Sequence, residues 1–180
     1  MLNKQTIQFD IKQIHKMKKT VITILAAVFL IFVIFLLLGS FFSNQYSADE
    51  LSKLKRMSSK FHPGSYEKEE SADLPFQVRN YFNRAIKQNT EKPVMLNLKQ
   101  KAQFKTSISS NWKDLTADVN YVTVEPGYLW DAEIEMSEVL WTRATESFAG
   151  GRGAIIIKLL SSLKVTELTG GRVNQSGLAR

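Results

Sequence analysis

One uninterrupted apolar run near the N-terminus constrains this chain more than any other feature. Residues 21–39 contain no charged side chain. As a helix with a rise of about 1.5 Å per residue, they would extend about 28 Å, close to the thickness of the hydrocarbon core of a bilayer. The run is apolar on all sides, which excludes an amphipathic surface helix. We therefore predict a transmembrane helix over residues 20–42.

Two other interpretations of this run are a cleaved signal peptide and the core helix of a soluble protein. A signal peptide has a short apolar region followed by a cleavage site with small side chains, whereas Leu38, Phe41 and Phe42 are large. Core helices of soluble proteins are usually shorter than this run. We favour a permanent anchor, and the other two interpretations stay open.

The charges on the two sides of the run predict its orientation. Five lysines and one acidic residue precede it in the tail 1–19, and the first charges after it are Asp49 and Glu50. Because positive charge is retained on the cytoplasmic side, we expect a cytoplasmic tail and a periplasmic or extracellular C-terminal domain. The tail supplies +4 of the net charge of +7. The outer part is only mildly basic, and a nucleic-acid partner is not expected.

Side chains that perform catalysis or bind metals are scarce. The chain has no cysteine and two histidines, His15 in the tail and His62 before a Pro-Gly turn. Asp131, Glu133 and Glu135 alternate along a predicted strand, a pattern more typical of a solvated face than of a cation site. We expect no catalytic residue, no cofactor and no metal, and favour a binding protein over an enzyme.

Residues 43–72 have the composition of a short juxtamembrane helix followed by a linker. Ser47 and Glu50 have the spacing of a capping box, which predicts a helix that begins there and ends near Met57. Residues 58–72 contain proline, glycine and a run of charges, which is typical of a linker. The domain beyond it would then be tethered to the bilayer by about thirty residues.

Residues 73–180 have the pattern of a β-rich α+β domain. After Pro75, apolar residues at helical spacing predict an amphipathic helix, whose partner surface we expect to be a sheet. The predicted strands are residues 94–105, 117–124 and 128–136. The first and third alternate between apolar and polar side chains, as in strands with one buried face. The fold class is therefore a mainly antiparallel sheet with one or two packing helices.

Two further connections are predicted from turn residues. The glycine-rich segment 149–153 precedes a strand rather than a helix, which indicates a hairpin or bulge and not a nucleotide loop. A two-residue hairpin loop at residues 137–138 would place Ile134 opposite Trp141 and Ala132 opposite Arg143. In this register Arg143 is a cation on an otherwise apolar face.

Two interpretations of Arg143 follow from that position. Its stem could stack on an indole while its guanidinium stays in water, or it could bind an acidic headgroup or carboxylate at the edge of an apolar cavity. The candidate ligand-binding residues are Trp130, Ile134, Trp141, Arg143 and Phe104.

Several short motifs of the β-rich domain recur together in a known family. They include Leu74-Pro75, Glu125-Pro126-Gly127-Tyr128, Trp130-Asp131-Ala132 and Gly150-Gly151-Arg152-Gly153. Together they resemble a bacterial family of uncharacterised proteins, the domain of unknown function numbered 6544. The resemblance implies no established activity. By architecture it implies a half-barrel like that of lipoprotein-carrier proteins, which hold acyl chains on a concave apolar face.

The chain departs from that family in two ways. Arg143 is followed by Ala144 and Thr145 where the resemblance implies an acidic residue, which weakens the case for a polar site there. Family members also continue into further strands beyond the stretch that matches residues 176–180. We therefore expect an incomplete domain, with an open sheet edge where those strands would pair.

Two functional hypotheses follow from these patterns. The first is a membrane-anchored binding module for a hydrophobic or lipid-like ligand, because the predicted apolar face exceeds what one short helix can cover. The same apolar stripe is also compatible with ordinary core beneath that helix. The second hypothesis is an envelope protein-interaction or assembly subunit that uses an exposed sheet edge or the juxtamembrane helix. The membrane, crossed once, is the expected partner in both.

Overall fold

The computed structural model describes residues 4–105 and 107–179. It contains three α-helices, a short 3-10 helix and one six-stranded sheet. In chain order the elements are α1 (Lys4–Ser58), the 3-10 helix (Lys68–Ser71), α2 (Phe76–Ala85), β1 (Met95–Phe104), β2 (Lys113–Val122), β3 (Gly127–Ser137), β4 (Leu140–Ala149), β5 (Arg152–Leu159), β6 (Leu163–Thr169) and α3 (Gly171–Ala179).

The six strands form an open antiparallel meander in the order β1-β2-β3-β4-β5-β6. The α+β class is confirmed, and the sheet does not close into a barrel. Because each strand pairs with the next in sequence, the β1–β2, β3–β4 and β5–β6 connections all lie at one end of the sheet, which we call the proximal end. The β2–β3 and β4–β5 connections lie at the other, distal end.

Helix α1 is one continuous helix of 55 residues, about 80 Å long. The predicted start of a separate helix at Ser47 is wrong, because the chain is already helical there. The Ser47 hydroxyl accepts a hydrogen bond from Arg143 of the sheet, and Glu50 forms an ion pair with Lys53. Residues 43–58 therefore continue the apolar helix and are not a tether.

The C-terminal part of α1 packs along the sheet from one end to the other. At the proximal end, a Cβ on Gly39 would lie only 2.0 Å from the hydroxyl of Ser162, in the β5–β6 turn. Toward the distal end, Leu54 is 1% exposed and forms an apolar cluster with Val122 and Leu129. Position 39 thus has to be glycine for the helix to approach the turn so closely.

The N-terminal part of α1 is long and apolar enough to span a membrane. Its most apolar 18-residue window has no residue buried within the protein. This agrees with the predicted apolar helix at residues 20–42.

The hairpin between β3 and β4 differs from the predicted register by one residue. The loop is Glu138 and Val139, and an irregularity between Glu135 and Ser137 leaves Met136 without a partner. A slip of one residue moves side chains to the opposite face of a sheet. The structure pairs Glu133 with Arg143, Ala132 with Ala144 and Glu135 with Trp141.

The predicted hairpin connection in the glycine-rich segment 149–153 is confirmed. Residues 123–126 form the β2–β3 turn. Gly150 and Gly151, which join β4 to β5, have φ angles of +56° and +77°. Two consecutive positive φ angles are typical of the two-residue turn that matches the twist of a hairpin.

The segment between α1 and the sheet is ordered by local contacts. Ser65 and Glu91 form an isolated bridge, and Lys92 forms an ion pair of 2.6 Å with Glu70. Helix α2 lies where an amphipathic helix is predicted, but it packs against the 3-10 helix and has no buried residue. The expectation that this helix covers the sheet is therefore wrong.

Truncation of Leu54 should destabilise the contact between α1 and the sheet. We expect Leu54→Ala to lower the free energy of unfolding by about 2–5 kcal/mol, because it leaves a cavity in a fully packed cluster. The measurement is denaturant unfolding of the full chain in detergent, with tryptophan fluorescence as the signal that reports unfolding. Leu178→Ala, at a position 61% exposed, is the control. Equal losses for the two variants would contradict this packing.

Candidate functional site

The five predicted ligand-binding residues lie on two different faces of the sheet. Trp130, Ile134 and Phe104 belong to the face opposite α1, which we call the apolar face. Trp141 and Arg143 lie on the face that contacts α1, which we call the helix face. The structure thus brings three of the five to one surface and separates the other two from it.

Arg143 connects the sheet to α1 through its whole guanidinium group. Its Nε and Nη2 atoms donate to the two carboxylate oxygens of Asp131, at 2.9 and 2.5 Å. Nη1 donates to Asn44 Oδ1 at 2.6 Å, and Nη2 also reaches Ser47 Oγ at 3.3 Å. This two-pronged arginine–carboxylate geometry is the strong form of the charged hydrogen bond.

The structure contradicts the prediction that Arg143 lies on an apolar face. The Arg143 and Asp131 side chains are only 14% and 16% exposed, and Arg143 lies beside acids rather than on an apolar surface. The hydrogen bonds that Arg143 donates to the Asp131 carboxylate raise the pKa of Arg143 above its ordinary value. Thr145 also donates to Asp131, at 3.2 Å. A ligand carboxylate would have to displace these partners to bind the guanidinium.

A second set of polar contacts holds the β5–β6 turn against α1. Ser43 Oγ donates to the Ser161 carbonyl oxygen at 2.7 Å, and Lys158 Nζ donates to Ser43 Oγ at 2.9 Å. The Trp141 indole N–H donates to Ser161 Oγ at 3.0 Å. Burial and the nearby charge of Arg143 lower the pKa of Lys158. Trp141 therefore positions this turn, which is a structural role on the helix face.

A polar cavity of about 370 Å³ lies beside the Arg143–Asp131 pair. Its lining includes three basic and three acidic residues, so its formal charge is balanced. Such a cavity provides no net field to select a charged ligand. The charged residues that line it are Lys99, Lys101, Asp118, Asp131, Glu133 and Arg143.

The apolar face has a buried centre. Leu115, Ala117, Val119, Ala132 and Ile134 form one cluster there, and Trp130 packs against it. The Trp130 indole N–H donates to Gln100 Oε1 at 3.0 Å. The alternating pattern of β3 correctly predicted that Trp130, Ala132 and Ile134 share a face.

Helix α3 covers the distal end of the apolar face. A Cβ on Gly177 would lie 2.2 Å from the Phe148 ring, so only glycine permits this approach. Asn174 Oδ1 accepts a hydrogen bond of 2.7 Å from the Gly153 backbone N–H. These contacts restrict α3 to the β4–β6 side of the sheet.

The rest of the apolar face is open along both edge strands and at the proximal end. The prediction that residues 94–105 have a buried face is therefore wrong for most of β1, since most of its side chains are exposed and none of the described helices covers this face of the strand. The exposed large side chains of this face are 39–50% accessible; they are Leu96, Leu98, Phe104, Leu140, Leu163 and Leu168.

Among the side chains that the structure describes, no group of three or more histidine, aspartate and glutamate residues is placed to hold a metal ion. Asp131, the first of the three alternating acids in β3, is instead neutralised by Arg143. The arrangement provides hydrogen bonding and apolar surface.

The fold and these contacts define a class of protein in which one long apolar helix is fixed along the polar face of an open antiparallel sheet. More particularly, the chain belongs to the family of unknown function DUF6920, whose family model matches residues 72–180. The resemblance to an uncharacterised family is confirmed, although the family number differs from 6544. No curated protein and no solved structure match the chain.

Removal of the Arg143 charge should destabilise the protein through Asp131. We expect Arg143→Met to lower the free energy of unfolding by about 3 kcal/mol, because it leaves a largely buried carboxylate without its partner. Asp131→Leu added to it should restore part of the loss. Unfolding of both single variants and the double variant gives the coupling energy.

The exposed Lys92–Glu70 pair provides the matched control for this cycle. Both of its side chains are 45% exposed, so solvent screens their attraction and the coupling should be much smaller. If the Arg143 and Asp131 effects are simply additive, the proposed energetic coupling between these two side chains is wrong.

Proposed function

We propose that this protein is a single-pass membrane protein that holds a hydrophobic or lipid-like ligand on the open part of its apolar face. The observation that carries the proposal is the placement of the helices. The long helix α1 lies on the polar side of the sheet, and α3 covers only one end of the other side. Exposed apolar side chains on both edge strands and at the proximal end are thereby left without a covering helix among the described residues.

The energetics of that surface favour an apolar occupant. Complete burial of one leucine or phenylalanine side chain contributes about 1.5–3 kcal/mol. Six large apolar side chains of this face are each more than a third exposed. Exposed apolar patches of this kind mark binding surfaces in soluble domains. An acyl chain or another long apolar group has the shape to lie along such a strip.

The charge distribution supports the proposed orientation. The basic residues before the apolar helix favour a cytoplasmic tail by the positive-inside rule. The sheet would then lie in the periplasm or outside the cell. The apolar helix itself supplies the proposed single span.

A second candidate function is protein interaction through α2. Phe76 and Tyr81 of this helix are 63% and 67% exposed, although its sequence is amphipathic. Amphipathic helices of this type often dock into a groove of a partner. The larger extent of the apolar sheet face favours the lipid-like ligand.

A photoreactive lipid should label the open apolar face. The full chain is placed in lipid nanodiscs that contain a diazirine fatty acid, irradiated, and digested for mass spectrometry. We expect cross-links on peptides of β1 and β6, because their exposed leucines lie on the open part of the apolar face. Leu98→Glu and Leu168→Glu should each reduce this labelling about tenfold, since a carboxylate opposes apolar contact there.

Val124→Glu is the matched control for the labelling experiment. Val124 is 43% exposed in the β2–β3 turn, compared with 50% for Leu98 and Leu168, and it lies outside the open part of the apolar face. Labelling that is confined to α1, or that falls equally in all three variants, would contradict the proposed ligand site. A Tyr81→Ala variant that loses a discrete protein cross-link would support the second candidate.

A further inference from the structure

The proximal end of the sheet has exposed apolar side chains in its connections. Ile108 and Trp112, between β1 and β2, are 99% and 61% exposed, and Val139 at the tip of the β3–β4 hairpin is 76% exposed. Leu163, directly after the β5–β6 turn, is 48% exposed. Of the two distal connections, residues 150–151 are glycines, and residues 123–126 contain one exposed apolar side chain, Val124. Apolar side chains are thus concentrated at the proximal end.

The contact between α1 and the β5–β6 turn determines how far this end lies from the bilayer. A hydrocarbon core of about 30 Å needs about 20 helical residues. Counted from Thr20, the first residue after the lysine pair, such a span ends at Gly39. Gly39 touches Ser162, and the Ser162 hydroxyl also donates to the Leu36 carbonyl oxygen at 3.3 Å. The turn therefore lies at the outer boundary of the span.

The sheet cannot move away from this level without breaking its contacts with the helix. Beyond Gly39, α1 continues without interruption to the Arg143 contacts at Asn44 and Ser47. It then continues to the buried cluster around Leu54. The other proximal connections lie at the same end of the sheet as the β5–β6 turn. They are therefore brought to the bilayer surface together with it.

The residue types at this end suit the interface between lipid and water. Tryptophan is enriched at the headgroup level, and lysine stems lie along apolar surface while their charges stay in water. Here the Lys105 ammonium group lies 4.9 Å from the centre of the Trp112 ring. Aliphatic tips such as Ile108 and Val139 gain free energy when they enter the region below the headgroups.

We propose that the proximal end of the sheet docks on the same bilayer that α1 crosses, with Ile108, Trp112 and Val139 inserted at the headgroup level. The partner is the lipid surface itself. This inference rests on the membrane span of the proposed function and is independent of the ligand on the apolar face.

A pair of single-cysteine variants tests this docking, because the chain contains no native cysteine. Val139→Cys and Val124→Cys each replace a valine in a hairpin connection, at the proximal and the distal end respectively. The full chain is labelled with an environment-sensitive fluorophore and placed in phosphatidylcholine–phosphatidylglycerol nanodiscs with or without shallow nitroxide lipids. We expect about twofold or greater quenching at residue 139 and almost none at residue 124.

Two further measurements keep the test independent of one labelled site. Ile108→Cys should be quenched like Val139→Cys. Brominated lipids should quench the intrinsic fluorescence of the native chain, and Trp112→Phe should reduce that quenching, while Trp141, which donates to Ser161 of the β5–β6 turn, retains part of it. Similar quenching at residues 139 and 124 would overturn the docking, as would quenching that is unchanged in Trp112→Phe.

The outcomes also separate this proposal from the proposed function. A chain that fails to co-elute with nanodiscs would overturn the span and the docking together. Co-elution without quenching at residue 139 would overturn the docking alone. Quenching at residue 139 together with lipid cross-links that Leu98→Glu and Leu168→Glu leave unchanged would support the docking and contradict the ligand site.

Discussion

The guanidinium group of Arg143 makes the contact on which the rest of this molecule depends. It is held by both oxygens of Asp131 on the sheet and by Asn44 and Ser47 on α1. Where two polar surfaces pack together, each buried donor and acceptor needs a partner. Arginine can satisfy several acceptors in one plane. The apolar cluster around Leu54 adds further burial, but the polar contacts determine which part of α1 lies over which strands.

The packing of α1 on the helix face, which is the more polar face of the sheet, reverses the usual arrangement of an α+β domain. A helix normally covers the apolar side of a sheet and leaves the polar side in water. Here α1 covers the polar side, and α3 reaches only the distal end of the apolar side, at Phe148 and Gly153. The small residues Ala117 and Ala132 at the centre are buried by their neighbours. The surface around them is the part of the fold that still has apolar area to bury.

Local patterns predicted the elements of this fold better than their partners. The apolar run, the alternation in β3 and the glycine turn are each determined within a few residues, and all three are confirmed. The register of the β3–β4 hairpin is not determined locally, because the irregularity at Met136 shifts the pairing by one residue and moves Trp141 and Arg143 to the other face. The capping pattern at Ser47 is likewise overridden, since its hydroxyl binds Arg143 in a helix that packs on the sheet.

The two proposals meet in one physical consequence. Transfer of an acyl chain from a bilayer to a protein through water exposes its methylene groups, at a cost of about 0.8 kcal/mol for each. If the proximal end lies on the bilayer, Phe104, Leu140 and Leu163 border both the lipid and the open apolar face. A chain that leaves the bilayer there could pass onto the sheet while most of it stays in apolar contact. The helix contacts at Gly39 and Arg143 would then serve ligand uptake by holding the entrance at the lipid surface.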